Sequence, residues 1–386
     1  MTALARRFPW IILALAALFV VAAAGYRLLV RPVPPAEPLL TLTPARFDQM
    51  VEWDEDRVAA ALPAFLRSCR KLLARPDDAA VAARTKSLDF GTVAEWRSVC
   101  AAAASVPVGD DAASRQFFET SFVPFLAGNN GEADGLFTGY FEITLNGSRK
   151  RGGPHQTPLY RRPPEPSRHT RAEIEDGALA GKGLELVWID DPAAAFFLEI
   201  QGSGRVNLPD GTVMRVGYDG QNGRPYVPVG RLLIERGELA RDKVTMASIR
   251  AWMAENPKKA ALLRRDNPSY VFFREIPSLR DGLGEGPLGA QQVPLTAGRS
   301  LAVDRAFFPL GLPLWIEVRQ RFAPHDTIRR LVVAQDTGGA IKGPVRGDLF
   351  WGHGKEAAEG AGAMNARGRY YLLLPKSVAA RLGAIS

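Results

Sequence analysis

Cysteine is nearly absent from this chain: Cys69 and Cys100 are the only two among 386 residues. With no CxxC pair, and with His155, His169, His325 and His353 standing singly, no zinc-site spacing exists. Internal repeats of solenoid or propeller period are missing, so each part of the chain must bury its own core. Blocks of like charge are missing too. The formal net charge of +8 favours an anionic partner, but the Lys and Arg residues are scattered and do not form a patch. Nucleic acid is then one candidate, and a polyanionic wall or an acidic lipid surface is another. A solvated basic surface would need no partner at all.

What is present suits a well-buried globular protein of about two domains, with 46% hydrophobic and 23% charged residues. Thirty-seven Gly and 29 Pro favour short strands and tight turns over a helical bundle. Only the N-terminus carries a long apolar run. Arg6 and Arg7 precede it, it extends from Phe8 to Gly25, and a Pro-rich stretch follows at Arg31–Pro35. That pattern is an export signal with its N-terminus held cytoplasmic by the positive flank. Cleavage near Ala22 or Ala24 is one fate; retention as a membrane anchor is the other and is favoured here. Export places Cys69 and Cys100 in an oxidising compartment, where they either form one disulfide or remain two buried thiols.

From Phe47 to Val106 apolar residues recur at three and four, as in Val58, Ala61, Leu62, Phe65, Leu66 and Cys69, which predicts two or three helices. Beyond Phe117 the texture turns to short apolar runs broken by Gly and Pro. Strands are expected at Gly135–Glu142, Phe196–Ile200, Val213–Val216, Tyr270–Phe273, Leu314–Val318, Leu331–Ala334 and Tyr370–Leu374, with a helical interlude over Val229–Ala261.

Three stretches of the last third concentrate Asp and Gly where a strand pattern stops: Val303-Asp304-Arg305, Gln335-Asp336-Thr337-Gly338-Gly339-Ala340-Ile341-Lys342-Gly343, and Arg346-Gly347-Asp348-Leu349-Phe350. Asp336 and Asp348 lie twelve residues apart, and the glycines between permit a close approach of ligand or backbone. Two carboxylates on one rim make a candidate site. The ordinary employment of Asp beside Gly, capping a turn through its side chain, competes with that reading.

The run Asp336–Gly343 with Arg346–Gly352 closely resembles the three-aspartate signature of the membrane-bound lytic murein transglycosylase A family. Gly139–Glu142, Thr157–Tyr160, Gln201–Gly204 and Asn267–Tyr270 resemble that family's other motifs in the same order, so the resemblance covers about residues 110 to 375. It implies a mainly β fold, a double-psi β-barrel interrupted by an inserted second β domain, with N-terminal helices and a glycan-binding groove between the domains. Mapped here, 1–35 would be signal or anchor and linker, 36–142 the helices and first part of the barrel, 143–275 the insert, and 276–386 the rest of the barrel.

The resemblance further implies cleavage of peptidoglycan glycan strands in a Gram-negative periplasm, with no cofactor, no metal and no nucleic acid. Many family members carry a lipid on a Cys just after the signal peptide; none stands there in this chain, which would leave the apolar helix as its tether. Glycoside cleavage ordinarily takes two carboxylates. A muramic acid residue supplies its own C6 hydroxyl as nucleophile, so one carboxyl can serve as acid and then as base. By motif position Asp348 would be that group, Asp336 its supporting neighbour and Asp304 a weaker third. Tyr140, Gln201, Ser203, Gly204 and Lys342 are candidate sugar contacts, since saccharide grooves combine aromatic faces, amides, hydroxyls and backbone donors. An inverting endoglucanase-like hydrolase and a non-catalytic wall-binding module are the alternatives. Gly284–Gly289 matches G-x-G-x-x-G but holds Pro287 and opens no helix, so it is expected to be a loop.

Overall fold

The computed structural model describes residues 36–82, 84, 88–276, 286–319 and 327–383. The apolar run expected to signal or anchor lies outside them; among the described residues no helix is long and apolar enough to cross a membrane. One compact unit begins at Leu39.

Its strands are β1 (Leu40–Pro44), β2 (Phe122–Asn129), β3 (Gly135–Ser148), β4 (Thr157–Tyr160), β5 (Glu185–Ile189), β6 (Ser203–Asn207), β7 (Val213–Gln221), β8 (Val271–Ile276), β9 (Ser300–Val303), β10 (Pro313–Arg319), β11 (Thr327–Asp336), β12 (Arg346–His353) and β13 (Asn365–Pro375). Pairing runs β1-β2-β13-β10-β11-β9-β12-β3-β6-β7-β8, and β13 also pairs with β3. Six strands (β3, β12, β9, β11, β10 and β13) therefore follow one another and lead back to β3.

Strand β3 is long enough to serve two sheets. Up to Glu142 it pairs in parallel with β12; from Ile143 it pairs in parallel with β6, and its last two residues meet β5. At the change of partner the Glu142 carboxylate is fully buried and held by Arg205 (Nε to Oε2, 2.8 Å) and Arg215 (Nη2 to Oε1, 3.2 Å). A buried carboxylate without such partners would be strongly destabilising. Two cores follow. One joins the six strands to the N-terminal helices, and the other fills the insert.

Three helices, Leu62–Leu73, Val93–Ala104 and Asp111–Ser121, pack against the first core. Thr92 N donates to the Glu95 carboxylate (2.9 Å), and the Asp110 carboxylate accepts from Ala113 N (2.9 Å), so both later helices start on a local cap. Cys69 and Cys100 form a disulfide that links the first two, with Cα atoms 5.6 Å apart. The interlude expected over Val229–Ala261 is divided into Val229–Glu235, Met246–Glu255 and Pro257–Arg265, with Pro257 opening the last helix rather than ending it.

One strand expectation fails. Phe196–Ile200 lies within the helix Pro192–Gln201. Asp191 caps it through Ala193 N (2.8 Å) and Pro192 occupies its first turn, while Ala194 to Leu198 are all buried. Five consecutive buried residues mask the three-four periodicity that identifies a helix, and a short apolar run then looks like a strand.

Candidate active site

The three aspartates are placed by strand ends, and the registers put two of them in one row. Ala302 of β9 is the cross-strand partner of Asp336 on β11 and of Asp348 on β12; Asp348 is in turn the partner of Thr138 on β3. Residues in register project from the same face of a sheet, and two strand spacings separate Asp336 from Asp348 by roughly 10 Å between Cα atoms. Beneath lies a small apolar cluster of Tyr140, Leu295, Ala302, Ile341 and Phe350, with the rings of Tyr140 and Phe350 at 5.3 Å.

The carboxylates differ in how fully their oxygens are engaged. Asp336 Oδ2 accepts from the Tyr140 hydroxyl (2.8 Å), and Oδ1 accepts from Ala290 N and Thr337 N (both 2.9 Å). Asp304 Oδ1 accepts from Ala306 N (3.0 Å) and Oδ2 from Gly343 N (2.8 Å), which ties the 336–343 loop to the end of β9. Asp348 accepts one hydrogen bond, from Thr138 Oγ1 to Oδ1 at 2.6 Å; its Oδ2 has no hydrogen-bond partner among the described residues. Thr138 is itself oriented by Arg346, whose Nη2 donates to Oγ1 at 2.8 Å, so the hydroxyl proton is directed at Asp348.

Burial pushes the Asp348 carboxyl up to about 6, against the Thr138 hydrogen bond and Arg346, which favour the ionised form; the Asp336 charge adds to the rise. Burial also raises Asp336, opposed by its three donors. The Tyr140 hydroxyl is driven well above its ordinary range by burial and by the Asp336 charge. Within this cluster Asp348 is the group poised to exchange a proton near neutral pH.

A cavity of about 610 Å³ opens beside this row, lined by Gln201 and Ser203 from the insert and by Asp336 and the 337–340 loop. Asp348 lies beyond its lining residues, so a ligand reaching from the cavity to Asp348 must extend along the row. Gln201 Oε1 accepts from Phe141 N (2.9 Å), which fixes the amide at the cavity wall. Tyr140 is placed differently from a sugar platform: it is buried, with its hydroxyl committed to Asp336. Gly204 is packed as well, since a Cβ there would meet Leu198 at 2.5 Å and the Ile143 carbonyl at 2.9 Å. Lys342 is exposed on the loop and does not line the cavity.

Sequence reasoning missed four residues here. Thr138 and Arg346 act on Asp348; Arg346 stands at i−2 to it on β12 and Thr138 at i−2 to Tyr140 on β3, so strand alternation was the available signal. Tyr218 and Tyr226 line the cavity while 52% and 42% exposed, the aromatic faces that Tyr140 does not supply.

The MltA specific insert domain model matches residues 136–274, and the 3D domain model matches residues 299–374. Membrane-bound lytic murein transglycosylase A of Escherichia coli (strain K12) is 36% identical over 275 residues, covering 69% of this chain and 72% of that protein. The crystal structure of a membrane-bound lytic murein transglycosylase from Agrobacterium tumefaciens superposes with a TM-score of 0.77 at 34% identity, covering 88% of this chain and 99% of that one. Escherichia coli MltA with bound chitohexaose superposes with a TM-score of 0.67 at 28% identity, covering 89% and 93%.

Proposed function

The chain belongs to the membrane-bound lytic murein transglycosylase A family, and on that footing we propose that it cleaves the β-1,4 bond between N-acetylmuramic acid and N-acetylglucosamine in peptidoglycan, with Asp348 as its single proton-transfer group. The observation that carries this assignment is the unequal engagement of the carboxylates: Asp336 and Asp304 have both oxygens held by donors, whereas Asp348 keeps Oδ2 open and is pushed up to about 6.

Protonated Asp348 donates to the glycosidic oxygen as the bond to C1 breaks. The C6 hydroxyl of the same muramic acid attacks C1, and the Asp348 carboxylate takes the proton that hydroxyl loses. The acid is regenerated and the sugar leaves as its 1,6-anhydro form, with no water consumed. Burial raises the proton affinity of Asp348 and Thr138 and Arg346 restrain the rise, while Tyr140 with Asp336 holds the neighbouring row. Gln201, Ser203, Tyr218 and Tyr226 line the glycan groove, a reading supported by the relative that binds chitohexaose.

The six strands that lead back to β3 form, in this reading, the double-psi β-barrel, with the insert carried by the second half of β3. The enzyme works in the periplasm, tethered by its N-terminal apolar run. Digestion of purified sacculi with mass analysis of the products tests the reaction. Release of 1,6-anhydromuramic ends is expected; reducing ends would mean that water is the acceptor, and binding without release would mean a wall-binding module.

A further inference from the structure

The insert holds a second cavity, of about 350 Å³, that the proposed reaction does not use. Arg171, Phe196 and Glu199 line both this cavity and the glycan groove, and so form a shared wall. That wall is closed to ligands on its own account. Arg171 donates to both Glu199 oxygens (2.8 and 2.6 Å) and to the carbonyls of Asn267 (3.2 Å) and Ser269 (2.7 Å). Its guanidinium is also sandwiched by Phe196 at 4.8 Å and Tyr270 at 5.1 Å.

Arg264 is in a different position. It lines the cavity at only 8% exposure, yet its side chain makes no hydrogen bond to any described residue. A guanidinium carries five N–H donors, and those of Arg264 are reached from the cavity, not sealed in the core, so an acceptor arriving there meets them. Glu199 is held by Arg171 and Asp176 by Arg265 in a two-point contact (2.7 and 2.6 Å), whereas Glu175, 3.7 Å from Arg171, acts on Arg264 together with Asp191 and Glu199 through charge alone, with no hydrogen bond to it. Glu175 and Asp176 sit on the turn Ile174–Ala178, which is kinked at Gly177 (φ 101°) and borders the cavity. The remaining wall is mixed, with Arg151, Gln156 and Thr157 beside apolar groups, and Arg151 Nε donates to Gln156 Oε1 (2.8 Å). Pro158 and Trp188 contribute to it, the Trp188 ring lying under the Arg151 guanidinium at 5.3 Å.

We propose that this cavity binds the terminal carboxylate of a short peptide, with Arg264 as the anchor and the Trp188 side taking a small apolar side chain. A planar guanidinium matches a carboxylate in two-point geometry, and the volume lies at the small end of ligand sites, enough for one or two small residues. The inference rests on the reading of peptidoglycan as substrate, because its strands carry short peptides that end in carboxylates. Bound there, a peptide would hold a strand close to the catalytic row from the other side of the shared wall.

Calorimetric titration of the full chain with N-acetyl-D-alanyl-D-alanine, its C-terminal amide and N-acetylmuramic acid tests the site. The free acid should bind roughly 10- to 100-fold more tightly than the amide, the worth of charge-assisted hydrogen bonds. Arg264→Gln should bring the acid down to the level of the amide. Equal binding of acid and amide by the unaltered protein overturns the proposal without recourse to any variant, as does no binding of the acid. N-acetylmuramic acid binding that is lost in Arg264→Gln would reassign the cavity to a sugar acid and also overturn it, since binding in the glycan groove would survive that substitution. Sacculus digestion reads the other claim separately: intact anhydro-product release with no peptide binding defeats this inference alone, and peptide binding with no release defeats the enzymatic reading alone.

Discussion

Asp336 and Asp348 flank Ala302 in a single cross-strand row, so two residues twelve apart in the chain stand two strands apart on one face of the sheet. Only Asp348 has an oxygen free of donors. Asp348→Asn keeps size and hydrogen bonding but removes the acidic proton, and turnover should fall by roughly 10² to 10⁴, the usual worth of general acid–base catalysis. Glycan affinity should be unchanged. Anhydro-product release measured beside binding to sacculi checks both, and retention of most activity by a folded Asn variant would remove Asp348 from its assigned role.

The same substitution should stabilise the fold at high pH. Asp348 is raised to about 6 from its ordinary value near 3.8, so its contribution to stability is full below about pH 4 and is lost as pH rises through about 6. Two pKa units correspond to about 3 kcal/mol, and partial exposure of the side chain reduces this to roughly 2. Denaturant unfolding at pH 4 and pH 8 should therefore show the Asn variant gaining on the wild type as pH rises. A constant gap between the two would mean that the native carboxyl is not raised.

The last third of the fold was legible because its strands are bounded by Gly and Asp and are rich in β-branched and aromatic residues, as in Leu314–Val318 and Tyr370–Leu374. Phe196–Ile200 was not, because the consecutive buried residues Ala194–Leu198 mask the helical period. The aspartates could be picked out from Asp-Gly spacing, but not their row, since Ala302, which brings them together, belongs to a strand thirty-four residues before Asp336 and has no chemical signature of its own. Tyr140 looked equally like a sugar platform or a core residue, and only the fold distinguishes the two, by placing its hydroxyl on Asp336.

The disulfide between Cys69 and Cys100 joins two helices in the N-terminal core. Opening it should relax a loop closed over a separation of 31 residues and cost roughly 3 to 4 kcal/mol on the chain-entropy estimate. Thermal unfolding with and without reductant should show the loss, while glycan cleavage by folded protein below the transition should be the same in both. An unchanged melting temperature after demonstrated reduction would show that the helices are held by packing alone.

Three substitutions beside Asp348 should move its pH profile, Asp336→Asn in one direction and Thr138→Val and Arg346→Met in the other. As a general acid, Asp348 acts in its protonated form, so activity should fall as pH climbs through about 6. Asp336→Asn removes a neighbouring charge that favours the protonated form, so the falling limb should move to lower pH. Thr138→Val removes the hydrogen bond that favours the carboxylate, and should move that limb to higher pH. Arg346→Met should act in the same sense as Thr138→Val, since it removes both the cation and the donor that orients the hydroxyl. All three should keep more activity at their own optimum than Asp348→Asn, because the proton donor remains. A role confined to holding the loop would lower the rate at every pH without moving the limb, and a shift of all three substitutions in one direction would show that the field at Asp348 is not set by these neighbours.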